Sequence, residues 1–239
     1  MSRWPATSEP AAAVVVLEST AALLASLRRQ PLLVVLRPSQ PLDAAPLLER
    51  LQAVNLRHVE LAFQPGPVWS EQLRELISLF PGLALGAASI SHQEALEAAI
   101  AAGCCYGFSP ILDPELLAAA AASGFTLVPG VMSPTEVHRA RQCGSALVKL
   151  FPAASLGPSY WRRLRDPLGP SLPFCIAAGG LSPVDVNTWL AAGVDAVALG
   201  SALLSGLATP PSSSPTGADR LADGFDPSPL QALLAGLSV

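Results

Sequence analysis

Short apolar runs alternate with amphipathic segments along almost the whole chain, and this alternation narrows the folds open to it. Residues 32–36, 58–62, 83–87, 104–108, 126–128, 146–150, 174–177 and 196–199 each read as a strand. They are apolar at consecutive positions, as suits strands of a parallel sheet covered on both faces. The segments between them carry helical spacing. Leu73, Leu76, Ile77 and Phe80 make one apolar stripe, and Leu47, Leu48, Leu51 and Val54 another. Helix starts are written in as well: Ser91 with Glu94, Ser133-Pro134-Thr135-Glu136, Ser182-Pro183-Val184-Asp185 and Asp113-Pro114.

Eight such units in 239 residues match a single-domain α/β chain folded as a TIM (β/α)8 barrel, a fold of ~250 residues. An open doubly wound sheet would need a nucleotide-binding glycine fingerprint after an early strand, and the chain has none. The expected organisation is an irregular lead-in over 1–16 and a barrel over 17–206, with an N-terminal helix near 18–29 capping its bottom. A Pro/Ser-rich flexible linker over 207–225 and a C-terminal helix within 226–239 packing on the barrel complete it.

Composition excludes several functions. Hydrophobic residues are 51% and charged residues 13%, too apolar for a disordered chain. No stretch reaches the ~18 apolar residues of a membrane helix, and the N-terminus makes a poor signal peptide. A net charge of −4 argues against nucleic acid or an anionic membrane as partner. Cys104, Cys105, Cys143 and Cys175 show no CxxC spacing and read as buried free thiols in a reducing cytoplasm. With His58, His92 and His138 the only histidines, no metal site is expected.

Of the 14 basic residues only Lys149 is a lysine. Arginine serves almost anywhere a surface needs charge, but its guanidinium does not deprotonate. A lysine kept in such a chain points to amine chemistry. Lys149 ends the sixth apolar run, on the face opposite Val148 and Leu150 and so inside a barrel mouth. Desolvation there disfavours its charged form, and a neutral amine attacks carbonyls to give an iminium, an electron sink for C–C chemistry.

Three further features gather at strand ends, where such barrels keep their function. Glu60 is a carboxylate in an apolar strand, either a proton shuttle or a structural partner of Arg37. Arg37, closing the first strand, is a candidate anion anchor. Gly179-Gly180 after the seventh strand and Gly200-Ser201 after the eighth open helical stretches, where bare N–H groups bind phosphate.

In order and spacing, over about residues 20–205, the chain resembles the 2-keto-3-deoxy-6-phosphogluconate and 4-hydroxy-2-oxoglutarate aldolases. The stretches that carry the resemblance include Val59-Glu60-Leu61, Gly86-Ala87-Ala88-Ser89-Ile90, Phe108-Ser109-Pro110, Val128-Pro129-Gly130-Val131-Met132-Ser133-Pro134, Val148-Lys149-Leu150-Phe151-Pro152-Ala153 and Gly179-Gly180-Leu181-Ser182. The resemblance implies a class I aldolase that needs no metal or other cofactor. It takes a keto-acid substrate, possibly phosphorylated, and is a cytoplasmic homotrimer of carbohydrate metabolism. It assigns Lys149 as the Schiff-base lysine and Glu60 as general acid/base. Ser89 becomes the pyruvate-carboxylate binder, Phe151 an aromatic beside the reacting carbon, and Gly180 and Ser201 phosphate binders. Pro110 joins the substrate-binding set. The chain departs from the family pattern at Gln64, where an Arg is common, and at Ala154, Ala178, Ala88 and Ile111. An Arg lost at Gln64 removes charge-assisted hydrogen bonds worth ~1.5–3 kcal/mol each. The rival readings are a phosphate-binding barrel isomerase or synthase without a Schiff base, which predicts that Lys149→Arg keeps activity, and a non-catalytic barrel.

Overall fold

The apolar runs become strands because each is covered on two sides. The computed structural model describes residues 9–200 and 226–237. Its strands are β1 (Leu32–Leu36), β2 (His58–Ala62), β3 (Ala84–Ala88), β4 (Gly107–Phe108), β5 (Leu127–Val128), β6 (Gly130–Val131), β7 (Leu147–Leu150), β8 (Phe174–Ala178) and β9 (Ala196–Leu199). All pair in parallel, in the order β5-β4-β3-β2-β1-β9-β8-β7-β6. Only Pro129, which has no N–H, separates β5 from β6. The first half of this strand pairs with β4 (Gly107↔Leu127) and the second with β7 (Gly130↔Lys149), so the sheet comes round on itself. The fold is the expected TIM-type barrel, with β5 and β6 standing for one of its eight strands.

Alternation along each strand sorts the side chains into two layers. Leu32, Val34 and Leu36 of β1, like Val148 and Leu150 of β7, point outward and pack with the helices. Leu33, Val35, Leu147 and Ile176 point inward. The helices are α1 (Glu9–Arg29), α2 (Ala45–Ala53), α3 (Val68–Leu79), α4 (Gln93–Ala102), α5 (Pro114–Ala122), α6 (Pro134–Gln142), α7 (Tyr160–Arg163), α8 (Arg165–Leu168), α9 (Val186–Ala191) and α10 (Ser228–Leu237). Their starts follow local chemistry. Asp113 caps α5, and Ser133 with Glu136 forms a full capping box on α6. Ser182 with Asp185 does the same for the 3-10 turn that leads into α9. The cap of α4 is His92, not Ser91: its Nδ1 accepts from Ala95 N–H at 3.3 Å, and Phe63 holds the ring edge-on at 5.6 Å.

Helix α1 stoppers the bottom of the barrel. Leu23 and Leu27 are buried among the inward-facing strand residues. The hydroxyls of Ser19 and Thr20 lie 2.7 and 3.0 Å from that of Thr126, and Ser26 Oγ meets His58 Nε2 at 2.9 Å. The helix begins at Glu9, so it takes in residues 9–16 that were expected to be irregular. The helix-forming Ala11, Ala12 and Ala13 outweigh the β-branched Val14, Val15 and Val16 that follow. At the other end, Leu230 and Leu234 of α10 are buried in the same cluster as Val186 and Trp189 of α9. The linker expected over 207–225 falls wholly outside the described residues.

Two of the four thiols differ from expectation: Cys104 and Cys175 are buried, whereas Cys105 and Cys143 are exposed. Cys143 ends α6 where the helix meets solvent, and Cys105 lies just before β4 begins.

Candidate functional site

The barrel mouth holds an amine and a carboxylate that are both out of water. Lys149 projects inward from β7 and is 5% exposed, its Nζ 4.8 Å from the centre of the Phe151 ring. Burial lowers its pKa, Glu60 opposes that shift, and the Arg37 charge adds to it. Glu60, on β2, is fully buried, and neither carboxylate oxygen has a hydrogen-bond partner. Burial raises its pKa to about 7, against the lowering pull of Lys149 and Arg37. An unsatisfied buried acceptor costs ~1–3 kcal/mol, more if charged. Such a group persists where chemistry needs it free.

The dryness below Glu60 has a specific source. In register, Glu60 stands beside Gly86 of β3. A Cβ on Gly86 would come within 2.4 Å of the Tyr106 ring, so that ring fills the space a side chain would take. Tyr106 is buried, with its hydroxyl donating to Ala84 O at 3.3 Å. No local pattern in the sequence marks Tyr106 for this role. It looked like any aromatic strand residue, and the glycine opposite was the only signal.

Arg37 emerges past the end of β1 and donates from Nη1 to Ser89 Oγ at 3.1 Å. It makes no hydrogen bond to Glu60, though its charge pulls that carboxyl's pKa down. Ser89 follows β3 with φ 65, a left-handed conformation that a non-glycine residue holds at some cost. Gln64 turns its amide onto Pro38 O, tying the loops after β1 and β2 together.

Pro110, after β4, crowds the mouth from the other side. A Cβ on Gly130 would lie 2.4 Å from both the carbonyl carbon and oxygen of Pro110. Gly130→Ala therefore forces the Pro110 backbone to move. Thermal unfolding should show a loss of ~1–3 kcal/mol, as for other overpacked sites, and an unchanged Tm would contradict the packing.

Phe151 and the two glycines after β8 form one unit. Gly179 (φ 94) and Gly180 (φ 77) are both left-handed. The space for a Cβ on Gly179 is closed by the Phe151 ring at 2.9 Å, and on Gly180 by Ala154 Cβ at 2.8 Å. Arg37, Lys149, Phe151, Gly179, Gly180 and Gly200 line a common cleft. The structure thus brings the sequence-predicted residues of β1, β7, β8 and β9 to one opening, with Glu60 beneath. Ser201 lies outside the described residues. Among the described residues, no cluster of His, Cys, Asp and Glu is placed to hold a metal ion, and no helix is long and apolar enough to cross a membrane.

Fold and mouth together define a barrel enzyme equipped for carbonyl chemistry. The chain belongs to the KDPG and KHG aldolase family, whose profile matches residues 23–209, and it is accordingly a lyase of the pyruvate-dependent class I aldolase type. It is 29% identical to the 2-dehydro-3-deoxy-6-phosphogalactonate aldolase of Escherichia coli, over 72% of this chain and 84% of that one. It is 30% identical to the 2-dehydro-3-deoxy-phosphogluconate aldolase of Pseudomonas aeruginosa, over 73% of this chain and 78% of that one. Among solved structures, it is similar to the KDPG aldolase of Legionella pneumophila with pyruvate captured as a covalent carbinolamine. That match has 25% identity and a TM-score of 0.70, and covers 90% of this chain and 98% of that one.

Proposed function

We propose that this protein cleaves a 2-keto-4-hydroxy acid to pyruvate and an aldehyde through an iminium on Lys149. One observation carries the reading: the chain's single lysine is buried inside the barrel mouth, near a buried carboxylate with no partner. The neutral amine attacks the C2 carbonyl carbon, giving a carbinolamine. Glu60, acting through a water, protonates the departing hydroxyl, and water leaves to form the iminium. The same carboxylate then takes the C4 hydroxyl proton. The C3–C4 bond breaks, its electrons become the C2–C3 enamine, and C4 leaves as the aldehyde. Protonation of C3 and return of water release pyruvate and restore Lys149. A carboxyl titrating near 7 is suited to both giving and taking protons at neutral pH.

The remaining residues receive substrate roles. Arg37 and Ser89 bind the keto-acid carboxylate, and Pro110 and Phe151 wall the reacting carbons. Gly179, Gly180, Gly200 and Ser201 take a terminal phosphate. In support, the N–H groups of Gly179, Gly180 and Gly200 donate to no described residue. The substrates are 2-keto-3-deoxy-6-phosphogluconate, giving glyceraldehyde 3-phosphate, or 4-hydroxy-2-oxoglutarate, giving glyoxylate. A steady-state comparison of the two ranks them. The working form is a cytoplasmic homotrimer, and light scattering should give the mass of three 24.6 kDa chains.

Borohydride reduction in the presence of pyruvate, followed by peptide mass spectrometry, tests the chemistry. The expected adduct sits on Lys149. An adduct elsewhere, or none, overturns the assignment, and with no other lysine the N-terminal amine is the competing site.

A further inference from the structure

A sugar-acid substrate carries hydroxyls at C4 and C5, and reading their configuration takes a side chain that hydrogen-bonds them in one orientation only. The cleft around Lys149 offers little of this. Its walls are Val35, Ala178, Leu181, Ala198 and glycine backbone, with Phe151 on one side. Among the described residues, Arg37 and Lys149 are its polar side chains. The first is engaged with Ser89, and the second is consumed in the iminium. Elsewhere on the inner face, Ala62 and Ala88 end β2 and β3. Two other polar side chains near the strand ends are engaged with backbone. Gln64 donates to Pro38 O, and Ser109 Oγ accepts from Ile111 N–H at 3.1 Å. Neither oxygen of Glu60 is committed to a protein donor, so no protein hydrogen bond fixes the direction from which it takes the C4 proton.

On these grounds we infer that the site does not read the configuration at C4: it takes both C4 epimers of a phosphorylated 2-keto-3-deoxy acid, the gluconate- and galactonate-derived forms alike. This rests on the aldolase reading above and goes beyond it. A site built to hydrogen-bond a hydroxyl rejects a misfit by ~10^4–10^5, whereas an apolar wall discriminates by ~10–200-fold. Proteins named for each epimer are among the chain's relatives, at 29% and 30% identity.

The test is pyruvate release by the full chain from each epimer separately, read as kcat/KM. The expected ratio lies within about 200-fold, and a larger ratio overturns the inference. Ala178→Ser and Ala198→Ser each add a hydroxyl to the wall. At least one should move the ratio by about 10-fold, the worth of one new hydrogen bond. A ratio that stays put in both variants means that these walls do not face the C4 hydroxyl, and the inference fails. If neither epimer is cleaved but pyruvate is still trapped on Lys149, the inference fails and the aldolase reading stands. If no pyruvate is trapped, the aldolase reading itself falls.

Discussion

Lys149→Arg should abolish turnover and pyruvate trapping together. The substitution keeps the positive charge and most of the stem length, so a lysine that merely attracted an anion would be replaced with modest loss. A guanidinium does not deprotonate in a protein, and without a free amine there is no iminium to accept the electrons of the breaking bond. The expected fall in kcat is at least ~10^4-fold, about 5 kcal/mol of barrel-mouth chemistry at 1.36 kcal/mol per decade. Because the larger head must fit a nearly closed space beside Phe151, Lys149→Met provides a second arm. It has similar bulk and no amine, so it should be equally inactive and untrappable while folding with an unchanged or higher Tm. Retention of a tenth of the activity in the Arg variant would instead favour the isomerase or synthase reading.

Glu60→Gln should make the protein slower and more stable at once, the second effect only above acid pH. In the fold, Glu60 holds its proton up to about pH 7, against 4.5 for the ordinary side chain. Between those values the native state binds a proton that the unfolded chain has lost. Stability contributed by this group is therefore complete below pH 4.5 and is lost as pH rises through about 7. The gap corresponds to about 3 kcal/mol at 1.36 kcal/mol per pH unit. Glutamine has nearly the same shape and cannot ionise. At pH 8 the variant should melt roughly 6–12 °C higher for a chain of this size, and near pH 4.5 the two proteins should melt together. Meanwhile kcat should fall ~10^2–10^4-fold with the loss of a general acid/base. A Tm gap that is the same at both pH values, or a variant with full activity, would remove Glu60 from its role.

Both residues were legible from the chain because their signals are local. Lys149 and Glu60 interrupt apolar runs, and a period of two decides which side of a strand they face once Val148, Leu150, Val59 and Leu61 are assigned outward. The boundaries of β1, β2 and β9 follow from the same runs, and the caps Asp113, Ser133 and Ser182 from a hydroxyl or carboxyl group directly before a proline. Local signals failed where distant residues compete. The start of α4 shifted to His92 because Phe63, some thirty positions earlier, holds that ring in place. That Arg37 donates to Ser89 is a contact between the ends of β1 and β3, on either side of β2, which no local spacing gives.

The amino-acid sequence by itself determined which elements form, which faces are apolar, and that one amine and one carboxylate stand at strand ends. These follow from spacing over a few residues. Only the tertiary structure decided that Glu60 has no partner, that Tyr106 fills the space left by Gly86, and that Gly130 yields its side-chain volume to Pro110. The last two are contacts between residues twenty positions apart in the chain, set by register and barrel closure. The two pKa shifts that the proposed reaction uses have burial as their largest cause.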